Sequence, residues 1–198
     1  EVDREKGVFA IKPSGVPYED LTVEDIVIVD LDGKVIEGNM RPSSDTKTHA
    51  FLYKHWENIG GICHTHLAAP TGAFGHPNFG TTHADHLTAD IPCAPPMADH
   101  LIEGDYEYNT GQQILDCFSE RNLTPAEVEM VLVGSHGPFT WGKDAAKAVY
   151  NSRVLEEIAR MAYLTLQINP NAGRLKDALI KKHYQRKHGK DAYYGQGC

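Results

Sequence analysis

The segment Gly60-Gly61-Ile62-Cys63-His64-Thr65-His66 joins a short buried-strand pattern to two histidines one residue apart. Side chains alternate between the two faces of a strand, so His64 and His66 are expected to project from the same face. A second apolar run, Met130-Val131-Leu132-Val133, leads into Ser135-His136-Gly137 in the same way. The sequence therefore predicts histidines at the ends of two strands.

Histidines at these strand ends form a candidate metal site. A neutral imidazole offers one nitrogen to a metal ion at about 2.0–2.1 Å, and three histidine ligands leave zinc an open position for substrate. The alternative is that each histidine is an interior side chain hydrogen-bonded to the backbone, because a single His-x-His pattern is weak evidence. The paired strand contexts favour the metal site, which predicts a metal-dependent enzyme.

Composition sets the broad class of the protein. The 198 residues and 21.9 kDa are those expected of one domain with a sizeable core. The net charge of −8 argues against nucleic acid or an anionic membrane as a general partner. No apolar run approaches the roughly 18 residues of a membrane span, and Glu1-Val2-Asp3-Arg4 does not resemble a signal peptide. Four cysteines without a CxxC pair favour a reduced, cytoplasmic protein.

Hydrophobic patterning predicts an α/β fold with a central mixed, largely antiparallel sheet flanked by helices. An early hairpin turns at Asp32-Gly33, and Ser43 or Ser44 is placed to cap the first helix. A further short helix is expected to begin at Thr124-Pro125. The longer helices are expected over residues 45–56, 107–121, 144–168 and 175–188.

Two serine-rich turns are candidate phosphate contacts. Lys-Pro-Ser-Gly at 12–15 and Arg-Pro-Ser-Ser-Asp at 41–45 offer hydroxyls and backbone amides near element starts. Each alone is more simply a turn or a cap, and neither matches a P-loop. The basic run at 181–188 is either a solvated helix face or an attractor for a phosphorylated substrate.

Several motifs in order carry a resemblance to a known family. They are Lys-Pro-Ser-Gly at 12–15, Pro-Ser-Ser-Asp-Thr at 42–46, His-Thr-His at 64–66, Gly-Thr-Thr-His-Ala-Asp at 80–85, Ser-His-Gly-Pro-Phe at 135–139, Trp-Gly-Lys at 141–143 and Lys-His-Gly…Ala-Tyr-Tyr-Gly-Gln at 187–196. Together they resemble the L-ribulose-5-phosphate 4-epimerases of the zinc-dependent class II aldolase superfamily. The family's usual N-terminal helix and first strand have no counterpart before Glu1, so residues 1–198 are expected to form the single remaining domain.

The resemblance implies a set of site residues. One Zn²⁺ per subunit would be bound by three histidines and a carboxylate: His64, His66, His136 and Asp45. The substrate phosphate would be bound by residues of the two turns: Ser14, Gly15, Ser43 and Ser44. Asp85 would be one catalytic acid/base and Tyr194, supplied by a neighbouring subunit, the other. A cytoplasmic homotetramer with sites at its subunit interfaces is implied.

The implied reaction converts L-ribulose 5-phosphate, a phosphorylated ketopentose, to D-xylulose 5-phosphate in pentose catabolism. The hydrogen on C4 is not acidified by the ketone, so a retro-aldol break of C3–C4 is easier than direct deprotonation. The glycolaldehyde phosphate would rotate and rejoin, with one acid/base group on each face. Two alternatives stay open: an aldolase cleaving fuculose or rhamnulose 1-phosphate, in which a glutamate generally replaces Asp45, and a catalytically silent zinc- and phosphate-binding homologue.

Overall fold

The computed structural model of the chain describes residues 1–66, 78–79, 90–190 and 192. The strands in these ranges are β1 (Val2–Asp3), β2 (Val8–Ile11), β3 (Val27–Asp30), β4 (Val35–Glu37), β5 (Gly61–His64), β6 (Asn78–Phe79), β7 (Ile91–Ala94), β8 (Met130–Val133) and β9 (Gly137–Gly142). The α-helices are α1 (Thr46–His55), α2 (Asp99–Ile102), α3 (Tyr106–Glu120), α4 (Ala145–Ile168) and α5 (Asp177–His188). None of these helices has the length and apolar character needed to cross a membrane.

A small antiparallel sheet opens the chain. Its strands follow in the order β1-β2-β3-β4, and Phe9 pairs with Val29 at its centre. Both side chains are buried, as is that of Val27, whereas β4 is exposed along its length. The turn between β3 and β4 contains Gly33 at a φ of +82°, a left-handed conformation that glycine adopts without steric cost. The predicted hairpin is therefore present.

The second sheet carries the strand ends with the histidines. Its order is β5-β9-β8-β7-β6, and each pair is antiparallel except β7 with β8. The prediction of a mixed, largely antiparallel sheet flanked by helices is confirmed. His64 pairs with Phe139 across β5 and β9, while β8 and β9 form a hairpin through Gly134, Ser135 and His136. This pairing places the two histidine segments side by side.

Two glycines allow helices to pack closely, one against the second sheet and one against another helix. A Cβ at Gly61 would lie 2.4 Å from the carbonyl carbon of Asp144, and one at Gly111 would lie 2.8 Å from Cβ of Phe51. Helix α4 therefore begins directly against β5, and α3 lies directly against α1. Asp144 caps α4, since its carboxylate accepts from the backbone N–H of Lys147 at 2.7 Å.

Two local predictions were wrong. The N-cap of α1 is Asp45, not Ser43 or Ser44, and it makes no side-chain capping bond. The carbonyl of Ser43 instead accepts from the backbone N–H and the side-chain hydroxyl of Thr46, at 3.2 and 2.6 Å. The helix expected at Thr124-Pro125 is a single turn closed by bonds to Thr124 O, because the chain then extends into β8.

Candidate active site

The imidazoles of His64, His66 and His136 converge at the ends of β5 and β9. One potential ligand atom from each lies within 4.8 Å of the others. The two Nε2 atoms of His64 and His66 are 2.9 Å apart. Three nitrogen donors grouped at this spacing could bind a metal ion.

Unusual backbone brings His136 to this position. Ser135 has a φ of 61°, in the left-handed region that residues with a Cβ seldom occupy. Gly137 follows, and a Cβ there would lie 2.7 Å from Thr65 O and 3.3 Å from Cδ2 of His66. The tight β8–β9 turn thus presses directly against the His64–His66 segment.

The His64 ring is held in a defined orientation and tautomer. Its Nδ1 is 2.8 Å from Pro138 O, and because a carbonyl only accepts, Nδ1 carries the proton. The ring also stacks on Phe139 with centroids 3.9 Å apart and planes at 10°. Nε2 therefore presents its lone pair toward His66 and His136. A carbonyl bond of this kind is a common support for a metal-binding histidine.

Protonation and burial at the site fit a divalent cation. Burial lowers the pKa of His64 below its usual value and, with the neighbouring histidines, lowers the pKa of His136 to about 4. Neutral imidazole, the form that binds metals, is favoured for both. Within the described residues, Nδ1 of His136 is buried and has no hydrogen-bond partner. The imidazole nitrogens of His64, His66 and His136 therefore suit a bound divalent cation.

The metal-free protein is expected to lose stability as the pH falls from about 6.5 to about 4. His136 has a pKa of about 4 when folded and near 6.5 when unfolded, so in this window the unfolded chain binds the proton and the folded chain does not. The free energy of unfolding then decreases as the pH falls. Urea unfolding of chelator-treated wild type and His136→Asn should show a shallower pH slope in the variant. Equal slopes in the two proteins would show that His136 does not cause this pH dependence.

Asp45 lies close to the histidines but outside their compact group. Burial lowers the pKa of His64 and of His136, and the negative charge of Asp45 acts in the opposite direction on both. Asp45 is therefore close enough to interact electrostatically with the two histidines. It lines a cavity of about 220 Å³ together with Ser43 and His64. Its carboxylate accepts from Ser43 Oγ at 3.3 Å. The three histidines, without Asp45, make up the group whose donor atoms lie within 4.8 Å.

The two serine-rich turns are adjacent in space. Ser14 N–H donates to Arg41 O at 2.9 Å, and Ser43 N–H donates to Lys12 O at 3.0 Å. Gly15 follows with a φ of +74°, and Ser44 precedes the helix cap. This pairing occupies the backbone amides of Ser14 and Ser43, so an anion at the turns could not bind to those two N–H groups.

Three residues near the histidines were not singled out from the sequence. The Tyr106 ring lies 5.5 Å from that of His136. Burial raises the pKa of Glu107, whose carboxylate accepts from Thr48 Oγ1 at 2.8 Å. Buried His49 lines the cavity with Asp45. Sequence spacing gave no signal for them, because packing between α1, α3 and the β8–β9 turn brings them to the site.

The predicted acid/base residues Asp85 and Tyr194 lie outside the described residues. The described residues therefore supply the histidine group, Asp45 and both serine turns, and the acid/base roles of Asp85 and Tyr194 stay predictions.

The fold and site define a class of protein. Residues 2–163 match the Class II Aldolase and Adducin N-terminal domain, and the chain belongs to this family. Among solved structures, an L-fuculose 1-phosphate aldolase superposes with a TM-score of 0.74 at 22% identity, covering 93% of this chain and 82% of that one. At that identity the likeness shows the fold alone.

Particular relatives are much closer in sequence. The chain is 48% identical over 199 aligned positions to the L-ribulose-5-phosphate 4-epimerase UlaF of Salmonella typhi, covering 98% of this chain and 86% of that protein. The protein of the same name from Salmonella paratyphi C is 47% identical over the same coverage.

Proposed function

We propose that this chain is a zinc-dependent L-ribulose-5-phosphate 4-epimerase that forms D-xylulose 5-phosphate. The observation that carries the proposal is the convergence of three histidine nitrogens within 4.8 Å beside a pair of serine-rich turns. The names of relatives at 47–48% identity support the epimerase over the aldolase. We also propose that the protein is a cytoplasmic homotetramer. Its reaction would then belong to pentose catabolism, for example the breakdown of L-arabinose.

In this proposal, each part of the site has a separate task. A divalent cation held by the histidines, with Asp45 beside it, would supply Lewis-acid stabilisation of negative charge on substrate oxygens. Ser14, Gly15, Ser43 and Ser44 hold the phosphate, so the two-carbon fragment stays bound when C3–C4 breaks. The orientation of His64 by Pro138 O keeps its lone pair directed into the site without rearrangement.

In this proposal, Asp85 and Tyr194 of a neighbouring subunit transfer the protons. Inversion at C4 requires one group that removes the proton from the C4 hydroxyl and another, on the opposite face, that returns a proton after the fragment has turned. A carboxylate and a phenol can each perform one of these transfers.

Product analysis tests the proposal. Zinc-loaded protein is incubated separately with L-ribulose 5-phosphate, fuculose 1-phosphate and rhamnulose 1-phosphate, and the products are identified by NMR. We expect D-xylulose 5-phosphate from the first, loss of turnover with a chelator, and recovery with zinc. Cleavage of a 1-phosphate as the main reaction would instead identify an aldolase. Bound zinc with no turnover of any of the three would identify the silent homologue.

Asp85→Asn and Tyr194→Phe are each expected to slow epimerisation by roughly 10²–10⁴-fold, the usual effect of removing a general acid or base. Zinc content should not change. If Tyr194 serves a neighbouring subunit, mixed oligomers of the two inactive variants contain some sites with both groups intact. Activity should therefore reappear after subunit exchange. Verified mixed oligomers without recovered activity would contradict the shared site.

A further inference from the structure

His49 is a buried imidazole that lines the same cavity as Asp45. It lies one helical turn after Asp45 on α1 and is only 9% exposed. The cavity, of about 220 Å³, is also lined by Lys12 and Ser43 from the turn segments and by His64. His49 thus shares this cavity with one proposed phosphate contact, Ser43, and one member of the histidine group, His64.

Aromatic neighbours hold the His49 ring. Its centroid lies 6.4 Å from that of Phe139 and 6.5 Å from that of Tyr53, and both contacts are edge-to-face. Phe139 in turn stacks on His64, so the His49 ring and the histidine group share one aromatic support.

The nitrogens of the His49 ring are without a described protein partner. Hydrogen bonds from histidine rings in the described ranges join His55 to Phe51 O, and His64 to Pro138 O and to His66; none involves the His49 ring. The backbone N–H of His49 donates to Asp45 O at 3.0 Å. These nitrogens are not among the fully buried unpartnered side-chain atoms of the described residues, and His49 lines the cavity, where a ligand could reach the ring.

The position of the ring indicates which ligand group it could contact. Ser43, a proposed phosphate contact, and His64, a proposed metal ligand, line the same cavity as His49. The part of a sugar phosphate between its phosphate and its carbonyl carries hydroxyl groups. A hydroxyl group both donates and accepts, so it can pair with either nitrogen of an imidazole.

We infer that His49 hydrogen-bonds a hydroxyl group of the sugar phosphate between its phosphate end and its carbonyl end, and so helps to determine specificity. This inference rests on the proposed function, because it assumes a substrate that extends from the serine turns to the histidine group. A sugar lacking that hydroxyl would leave the buried imidazole unpaired and would bind less well.

The test compares His49→Phe, which keeps a ring but removes both nitrogens, with His49→Asn, which keeps an N–H donor. We expect His49→Phe to lower kcat/KM for L-ribulose 5-phosphate by roughly 10–100-fold, the range for one lost polar contact. His49→Asn should retain several-fold more activity. Zinc content and the affinity for inorganic phosphate should match wild type in both. His55→Phe is the matched control, since His55 is on the same helix but stacks on Phe51 outside the cavity lining.

Several results would overturn the inference. They are wild-type kcat/KM in His49→Phe, equal losses in His49→Phe and His49→Asn, or a loss of zinc that accompanies the loss of activity. If His49→Phe does not fold, His49→Met, which is flexible and lacks an N–H, replaces it in the comparison. If wild type turns over none of the sugar phosphates, the proposed function fails. Calorimetric binding of L-ribulose 5-phosphate then decides the inference: weaker binding by His49→Phe supports it, and equal binding refutes it.

Discussion

His64→Ala is expected to abolish stoichiometric zinc binding and to reduce epimerase kcat/KM by at least about 100-fold. Changing a group that only supports a metal ligand typically costs 10–100-fold in metal affinity or activity, so removing a ligand should cost more. His64 is central to the group, because its Nε2 lies 2.9 Å from that of His66 and its ring is 4.8 Å from that of His136. Zinc is measured by mass spectrometry after dialysis, and turnover by NMR.

The control for this prediction is His100→Ala. His100 is exposed on the short helix α2 and is not part of the histidine group. The His100→Ala variant loses an imidazole side chain outside the site, so its zinc content and turnover should match wild type. Full zinc occupancy in His64→Ala would show that His64 is not a ligand.

Gly137→Ala is expected to weaken zinc binding by at least about tenfold and to lower the melting temperature. The new Cβ would lie 2.7 Å from Thr65 O, a backbone atom that cannot rotate away, so the β8–β9 turn and the His64–His66 segment must separate. Overpacking of this kind usually costs about 1–3 kcal/mol. Since His136 and His66 are on opposite sides of this contact, the donor atoms should move apart. Competition with a chromogenic chelator measures the affinity.

Gly173→Ala is the matched control, because a Cβ at Gly173 meets no atom within 4 Å. We expect it to leave zinc affinity within experimental error of wild type. If Gly137→Ala binds zinc as tightly as Gly173→Ala does, the close contact at Thr65 does not hold the site together.

Sequence reasoning succeeded where local periodicity decides the outcome. The alternation of side chains predicted that His64 and His66 lie close together, and their Nε2 atoms are 2.9 Å apart, although β5 ends at His64 and His66 follows the strand. The apolar run before His136 marked a second strand, β8. Both serine-rich turns were also visible, because serine, proline and glycine mark turns directly. Their adjacency depends on backbone bonds between residues 12–14 and 41–43, and no local pattern encodes those bonds.

The parts that sequence reasoning missed depend on contacts between distant elements. No motif singled out Glu107 in its predicted helix, yet Thr48 from α1 donates to its carboxylate. No motif singled out His49 in the helix predicted over 45–56, yet it lines a cavity with His64 of β5. The capping of α1 was predicted wrongly because Ser43, Ser44 and Asp45 are all good N-cap residues, and local rules do not choose among them.

Zinc K-edge X-ray absorption on the zinc-loaded wild type, compared with His136→Asn, directly tests whether the three histidines coordinate zinc. The proposed site predicts imidazole scattering from three histidines at about 2.0–2.1 Å in the wild type, and one imidazole fewer in the variant. A wild-type spectrum with oxygen ligands alone, or one unchanged by His136→Asn, would contradict coordination of one zinc ion by His64, His66 and His136.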